Sequence, residues 1–233
     1  MRIHITAGAL AMTAMLGLGL AAAGPAAAAR PSASDKVVVL VGASIGEGWK
    51  IEHFTERTGV SGYNLSYMGL YEFDKTPVIE KIVRGPSKPD VVMIKECSTY
   101  FPGDMAEYER KVTSWVRMLR QAGIAPVLVT TPPLDVPQGT IQRGKEEIKH
   151  LLGRGTAAEG IATFNDWLKA YAKREHIPVF DLEAALRRAP DNRWMKAEYD
   201  SGDRVHLNAA GYQAMDRAFT QFLSGEPMLR ADR

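Results

Sequence analysis

The sequence has one cysteine, Cys97, among 233 residues. A single cysteine cannot close an internal disulfide, and it cannot assemble a thiolate metal site, so stability must come from packing. No surplus of one charge exists either. Lys plus Arg is 29 against 27 Asp plus Glu, and no basic run occurs, which argues against a nucleic-acid partner. No period of 20–50 residues repeats, so solenoids and propellers are excluded. What is present is 45% hydrophobic and 24% charged, the balance of a soluble globular domain.

Charge is also missing locally. From Ile5 to Ala29 there is no charged side chain. Arg2 precedes this stretch, Gly24-Pro25 breaks it, and Ala26 to Ala29 closes it before Arg30. A basic start, an apolar middle and a small-residue end are the parts of a secretory signal peptide. We therefore expect residues 1–29 to be a cleaved leader and 30–233 the mature single domain. An uncleaved anchor is the alternative, disfavoured because the stretch is rich in Ala and Gly. The expected location is periplasmic or secreted, with no stable membrane insertion after cleavage.

Downstream, apolar β-branched runs alternate with helical stripes. Lys36–Val41, Asp90–Ile94, Ala125–Thr131 and Ile177–Phe180 read as strands, with Tyr63–Tyr67 a weaker fifth. Between them Met105, Tyr108, Val112, Val116 and Leu119 recur at helical spacing, as do Ile161, Phe164, Leu168 and Tyr171, and then Ala210, Ala214, Met215, Phe219 and Phe222. Such alternation predicts an α/β fold with a mostly parallel sheet. In such sheets chemistry gathers at the carboxyl ends of strands.

The first strand runs into Gly42-Ala43-Ser44-Ile45-Gly46-Glu47-Gly48. Its glycines do not fall as a dinucleotide fingerprint requires, and no G-K-[ST] completes a phosphate loop. Two readings remain: a structural Gly/Ser turn, or a serine nucleophile presented on a strand-to-helix turn. Near the other end stands Asp203-Arg204-Val205-His206-Leu207-Asn208, ahead of the last helical stripe, with Asn208 placed as its N-cap. A carboxylate beside an imidazole fixes its tautomer, and the imidazole can then take a proton from a serine. Alternatively, this is a capped loop bearing a surface histidine. The other histidines downstream of the leader, His53, His150 and His176, lack such a setting.

Together, Gly42-Ala43-Ser44 and D-x-x-H-L-N followed by A-x-G-Y resemble the first and last blocks of the SGNH (GDSL-type) hydrolases. The resemblance runs from about Val37 to Phe222. It implies a flavodoxin-like three-layer sandwich with a central, mostly parallel sheet of about five strands. It implies Ser44 as nucleophile, His206 as general base and Asp203 as its orienter. Asn64-Leu65-Ser66-Tyr67-Met68-Gly69 resembles the second block and implies Gly69 as a backbone donor to the oxyanion. The third block departs from the pattern. Met93-Ile94-Lys95-Glu96-Cys97-Ser98-Thr99-Tyr100 holds no Asn, and Ser98 stands where that donor is expected, so the hole is assigned to Ser44, Gly69 and Ser98. Ala43 replaces an Asp that braces the serine turn in the family, and Glu96 is a candidate substitute. Cys97 is expected to be a buried, inert thiol. Trp49, Tyr67, Tyr71 and Tyr100 flank the site and either line a pocket or belong to the core.

The implied activity is hydrolysis of carboxylic esters through an acyl-enzyme, which calls for no metal or cofactor. The expected partner is a small-molecule or polysaccharide ester, with deacetylation of a polysaccharide and cleavage of a longer acyl ester or thioester as the options. An acyltransferase with the same residues, or a carbohydrate-binding module with weak or no turnover, are the alternatives.

Overall fold

Lys36–Gly42 (β1) is apolar at consecutive positions because both of its faces are covered. Val38 and Leu40 enter one hydrophobic cluster, while Val39 and Val41 enter a second on the opposite side. The structure, a computed structural model, describes residues 35–139, 144 and 155–230. The predicted leader, residues 1–29, lies outside the described residues.

Five strands build the sheet: β1, Tyr63–Gly69 (β2), Val91–Lys95 (β3), Ala125–Val129 (β4) and Val179–Phe180 (β5). Their order is β2-β1-β3-β4-β5, and every pairing is parallel. This is the expected doubly wound arrangement. One face carries Ser44–Trp49 (α1), Phe54–Thr58 (α2), Leu182–Leu186 (α6) and Ala209–Gly225 (α7). The other carries Thr76–Arg84 (α3), Met105–Gln121 (α4) and Ala157–Glu175 (α5). Trp49, Phe54, Phe180 and Phe219 stack edge and face in the first cluster. Trp115, Phe164 and Leu119 fill the second.

Local chemistry sets the ends of these elements. Asp104 caps α4 by accepting from the Glu107 N–H at 3.0 Å. Thr156 and Glu159 form a reciprocal capping box at the start of α5. Gly123, at φ +76°, turns the chain from α4 into β4. Strand β4 stops at Val129, two residues short of the expected end, because Thr131 no longer pairs with the sheet. Both its N–H and its C=O bond the side chain of buried Asn165 on α5, at 2.8 and 2.9 Å. Strand β5 is shorter than predicted: Pro178 has no N–H to give, though its carbonyl still accepts from Leu128. Helices α3 and α6 and the antiparallel hairpin of Arg187–Ala189 (β6) with Asn192–Met195 (β7) were not anticipated.

Gly42 pairs in register with Gly69, and Lys95 with Val129. The strands therefore end together along one edge.

Candidate active site

Along that edge β1 gives way to α1 in a single residue. Ala43 is extended (φ −124°, ψ −156°) and offers no side-chain cap; Ser44 is the first residue of α1. The abrupt change from extended to helical backbone lifts the half-buried Ser44 side chain above the sheet end. Gly46 is required on the next turn, since a Cβ there would lie 2.9 Å from the ring of Tyr67.

The loop 200–207 brings the partners of Ser44. An antiparallel bridge between Asp200 and Leu207 closes it, and Ser201 N–H donates to His206 C=O at 3.0 Å. Within it Asp203 Oδ1 accepts from the N–H groups of Val205 and His206 at 2.9 and 2.8 Å. Its other oxygen lies 2.5 Å from His206 Nδ1. His206 Nε2 lies 2.9 Å from Ser44 Oγ. A carboxylate can only accept, so Nδ1 carries the proton, and Nε2 presents its lone pair to the serine hydroxyl. Partial burial opposes the Asp203 charge, but the bonds from His206 and Val205 outweigh it and hold the carboxyl well below the usual range.

Two anchors fix this loop. Asn208 accepts from the N–H groups of Ala210 and Gly211 as the N-cap of α7, as expected, while its amide donates to Glu198 and Asp200 carbonyls. Arg204, in the left-handed region at φ +71°, accepts the N–H of buried Asp135 on its carbonyl at 3.0 Å, and its guanidinium Nε donates to the Asp135 carbonyl at 3.1 Å, just beyond β4. Asp135 in turn holds Arg188 at 2.6 Å. Asp135 and Arg188 were invisible to pattern reading because the loop after β4 and the hairpin carry no motif.

The structure brings Ser44, His206 and Asp203 together; the proposed hole residues fare differently. Gly69 ends the edge strand β2. Its neighbour Leu70 donates to Gly42 C=O at 2.9 Å. Alternate residues of a parallel strand serve opposite neighbours, so the Gly69 N–H is not used in the pairing of β2 with β1. The Ser44 N–H, in the first turn of a helix, likewise has no intrahelical acceptor. Ser98 requires a correction. It is buried, and its hydroxyl donates to Pro132 C=O at 2.9 Å. A serine has one proton to give, so the Ser98 side chain offers no donor to an oxyanion.

Glu96 also does not brace the serine turn. It is buried 3.3 Å from Lys75 Nζ, with neither carboxylate oxygen in a well-directed hydrogen bond. Burial pushes its carboxyl up to about 7, against the pull of Lys75 and Lys95. Neighbouring Lys95, also buried, is pushed down to about 8. Cys97 is buried, its Sγ 3.2 Å from Thr99 Oγ1. Of the flanking aromatics, Trp49 is core and donates to Asp216 at 2.7 Å. Tyr100 lies against Lys75. Tyr71 is exposed, with its hydroxyl on Glu47. Tyr67 holds the serine turn itself: its hydroxyl lies 3.2 Å from Gly42 O and 3.1 Å from Ala43 O. Only its place two residues before Gly69 could have hinted at this.

The profile of the GDSL-like lipase/acylhydrolase family matches residues 12–214. No curated protein matches the chain. Among solved structures, a candidate acylhydrolase from Bacteroides fragilis is 22% identical, with a TM-score of 0.63, over 87% of this chain and 92% of its own. A GDSL-like lipase from Bacteroides thetaiotaomicron is also 22% identical, with a TM-score of 0.61, over 84% and 92%. An acetyl-xylooligosaccharide esterase from Geobacillus, in a mutant form, is 16% identical, with a TM-score of 0.55, over 84% and 97%. At these identities the likeness is one of fold.

Proposed function

The chain belongs to the GDSL-like lipase/acylhydrolase family, and from that premise we propose that it is an exported serine esterase working through an acyl-enzyme on Ser44. The observation that carries the reading is the continuous hydrogen-bonded line from Asp203 through His206 to Ser44, at 2.5 and 2.9 Å.

In this mechanism Ser44 Oγ attacks the ester carbonyl while His206 Nε2 takes its proton. The negative charge on the former carbonyl oxygen is met by the backbone N–H groups of Ser44 and Gly69. His206, now a cation, is stabilised by Asp203 and passes the proton to the departing alkoxide. Water then attacks the acyl-serine, giving a proton to His206, which returns it to Ser44 Oγ as the acyl–Oγ bond breaks and the acid leaves. Acetyl esters of sugars are the first substrates to try, since an acetyl-xylooligosaccharide esterase shares the fold. Export rests on the uncharged stretch from Ile5 to Ala29, which would make residues 30–233 the mature enzyme.

A fluorophosphonate probe and an acetyl-ester assay test the reading together. The wild type should label at one serine and hydrolyse the ester. Ser44→Ala should do neither, and His206→Ala combined with Ser44→Ala should be scarcely worse than either alone, because the residues act as a unit. Full activity in Ser44→Ala would end the proposal.

A further inference from the structure

Nothing on the Ala43 side chain can brace the turn that presents Ser44, yet that turn is braced. The Tyr67 hydroxyl sits 3.1 Å from Ala43 O and 3.2 Å from Gly42 O, a proton shared between two successive carbonyls. Ala43 O belongs to the same peptide unit as the Ser44 N–H. That oxygen also accepts from Glu47 N–H at 3.1 Å, and Gly42 O accepts from Leu70 N–H at 2.9 Å. Each donor on a carbonyl polarises its peptide and strengthens the N–H at the other end. The phenol ring fills the space under Gly46. It also abuts the second expected donor, as a Cβ on Gly69 would stand 3.0 Å from the Tyr67 oxygen.

We propose that Tyr67 is a positioning residue of the oxyanion hole, which orients and polarises the Ser44 peptide and spaces its N–H from that of Gly69. The inference rests on the serine-esterase reading above. It goes beyond it by assigning to a β2 tyrosine the bracing that neither Ala43 nor Glu96 provides. Tyr67 touches no reacting atom. Its effect passes through backbone donors whose bonds strengthen as the carbonyl oxygen becomes an anion, so it should act on the transition state and not on substrate binding. Burial raises the Tyr67 hydroxyl well above the ordinary phenol value, with Tyr71 and Glu47 adding to the effect, so the group remains a donor.

The test compares Tyr67→Phe with Ser44→Ala on an acetyl ester, beside inhibition by an alkyl trifluoromethyl ketone, whose adduct on serine carries an oxyanion. Tyr67→Phe should lower kcat about tenfold, less than the hundred- to thousand-fold of a deleted donor. KM should stay within twofold, and ketone affinity should fall by the same factor as kcat. If Ser44→Ala is inactive but Tyr67→Phe keeps kcat within twofold, or loses only in KM, the positioning role is wrong and the esterase stands. If Ser44→Ala stays active, the esterase reading fails and this proposal falls with it. Should Tyr67→Phe not fold, 3-fluoro- and 3,5-difluorotyrosine placed at 67 preserve shape and strengthen the donor. In that series kcat should rise with phenol acidity at constant KM, and a flat response overturns the proposal.

Discussion

Replacing Glu96 by glutamine should change how stability depends on pH, and the size of the change follows from its surroundings. The carboxyl is buried at the end of β3, 3.3 Å from Lys75 Nζ, with no well-directed hydrogen bond to either oxygen. Taking a carboxylate out of water costs more here than Lys75 and Lys95 return, and the group rises from 4.5 to about 7. Between those values the folded protein holds a proton that the unfolded chain has released. Its contribution is therefore complete below pH 4.5 and is lost as pH rises toward 7. At ~1.36 kcal/mol per pH unit the loss is on the order of 3 kcal/mol. Glu96→Gln mimics the protonated acid at every pH. Urea midpoints at half-unit steps, with a constant m-value, measure the difference. The variant should match the wild type within about 1 kcal/mol at pH 4.5 and exceed it by roughly 3 kcal/mol at pH 7.5. Asp203 does not disturb this window: its carboxyl is lowered, so its contribution is present above its unfolded value and fades only in stronger acid. A gap between the two proteins that stays constant across the range would mean that Glu96 is ionised throughout, and the burial argument would be refuted.

Ser98→Ala should leave kcat within threefold, because the hydroxyl serves Pro132. It should still cost about 1–3 kcal/mol in chemical denaturation through the carbonyl left unsatisfied. Asn165→Ala strands both the N–H and the C=O of Thr131, a loss of roughly 2–4 kcal/mol measurable by the same titration. Asn208→Asp keeps the helix cap but turns a negative charge toward the Glu198 and Asp200 carbonyls, so it should cost more activity than stability relative to Asn208→Ser, as steady-state kinetics beside thermal melts would reveal. For export, N-terminal sequencing of protein from the envelope or medium should begin near Arg30; a full-length chain in the membrane fraction would contradict it.

Where periodicity is strong, the fold is legible without coordinates. Val37 to Val41 has no polar interruption, and only a strand covered on both faces tolerates that. The α4, α5 and α7 stripes are equally plain. Short elements were not legible. Helix α6 has five residues and the β6–β7 hairpin seven in its two strands, too few for a period to appear. At the site, Ser44, Asp203 and His206 could be named because their spacing is set within single turns of chain. The hole could not be read the same way. Which donor reaches an oxyanion depends on what else competes for its proton, and Ser98 meets Pro132, 34 positions away. Tyr67 escaped for the same reason, since its acceptors lie at the end of a neighbouring strand and in the turn that follows it.

Ser44 and His206 meet in the fold although 162 positions separate them along the chain. A ribosome therefore delivers the proposed nucleophile 162 residues before its proposed base. Until residues 203–206 emerge, Ser44 is an ordinary alcohol with nothing to take its proton. The aromatic floor beneath it arrives later still: Phe219 of α7 packs 5.1 Å from Trp49 and 5.0 Å from Phe54. Under the proposed mechanism, a chain that stops short of His206 carries the serine without the base that would activate it.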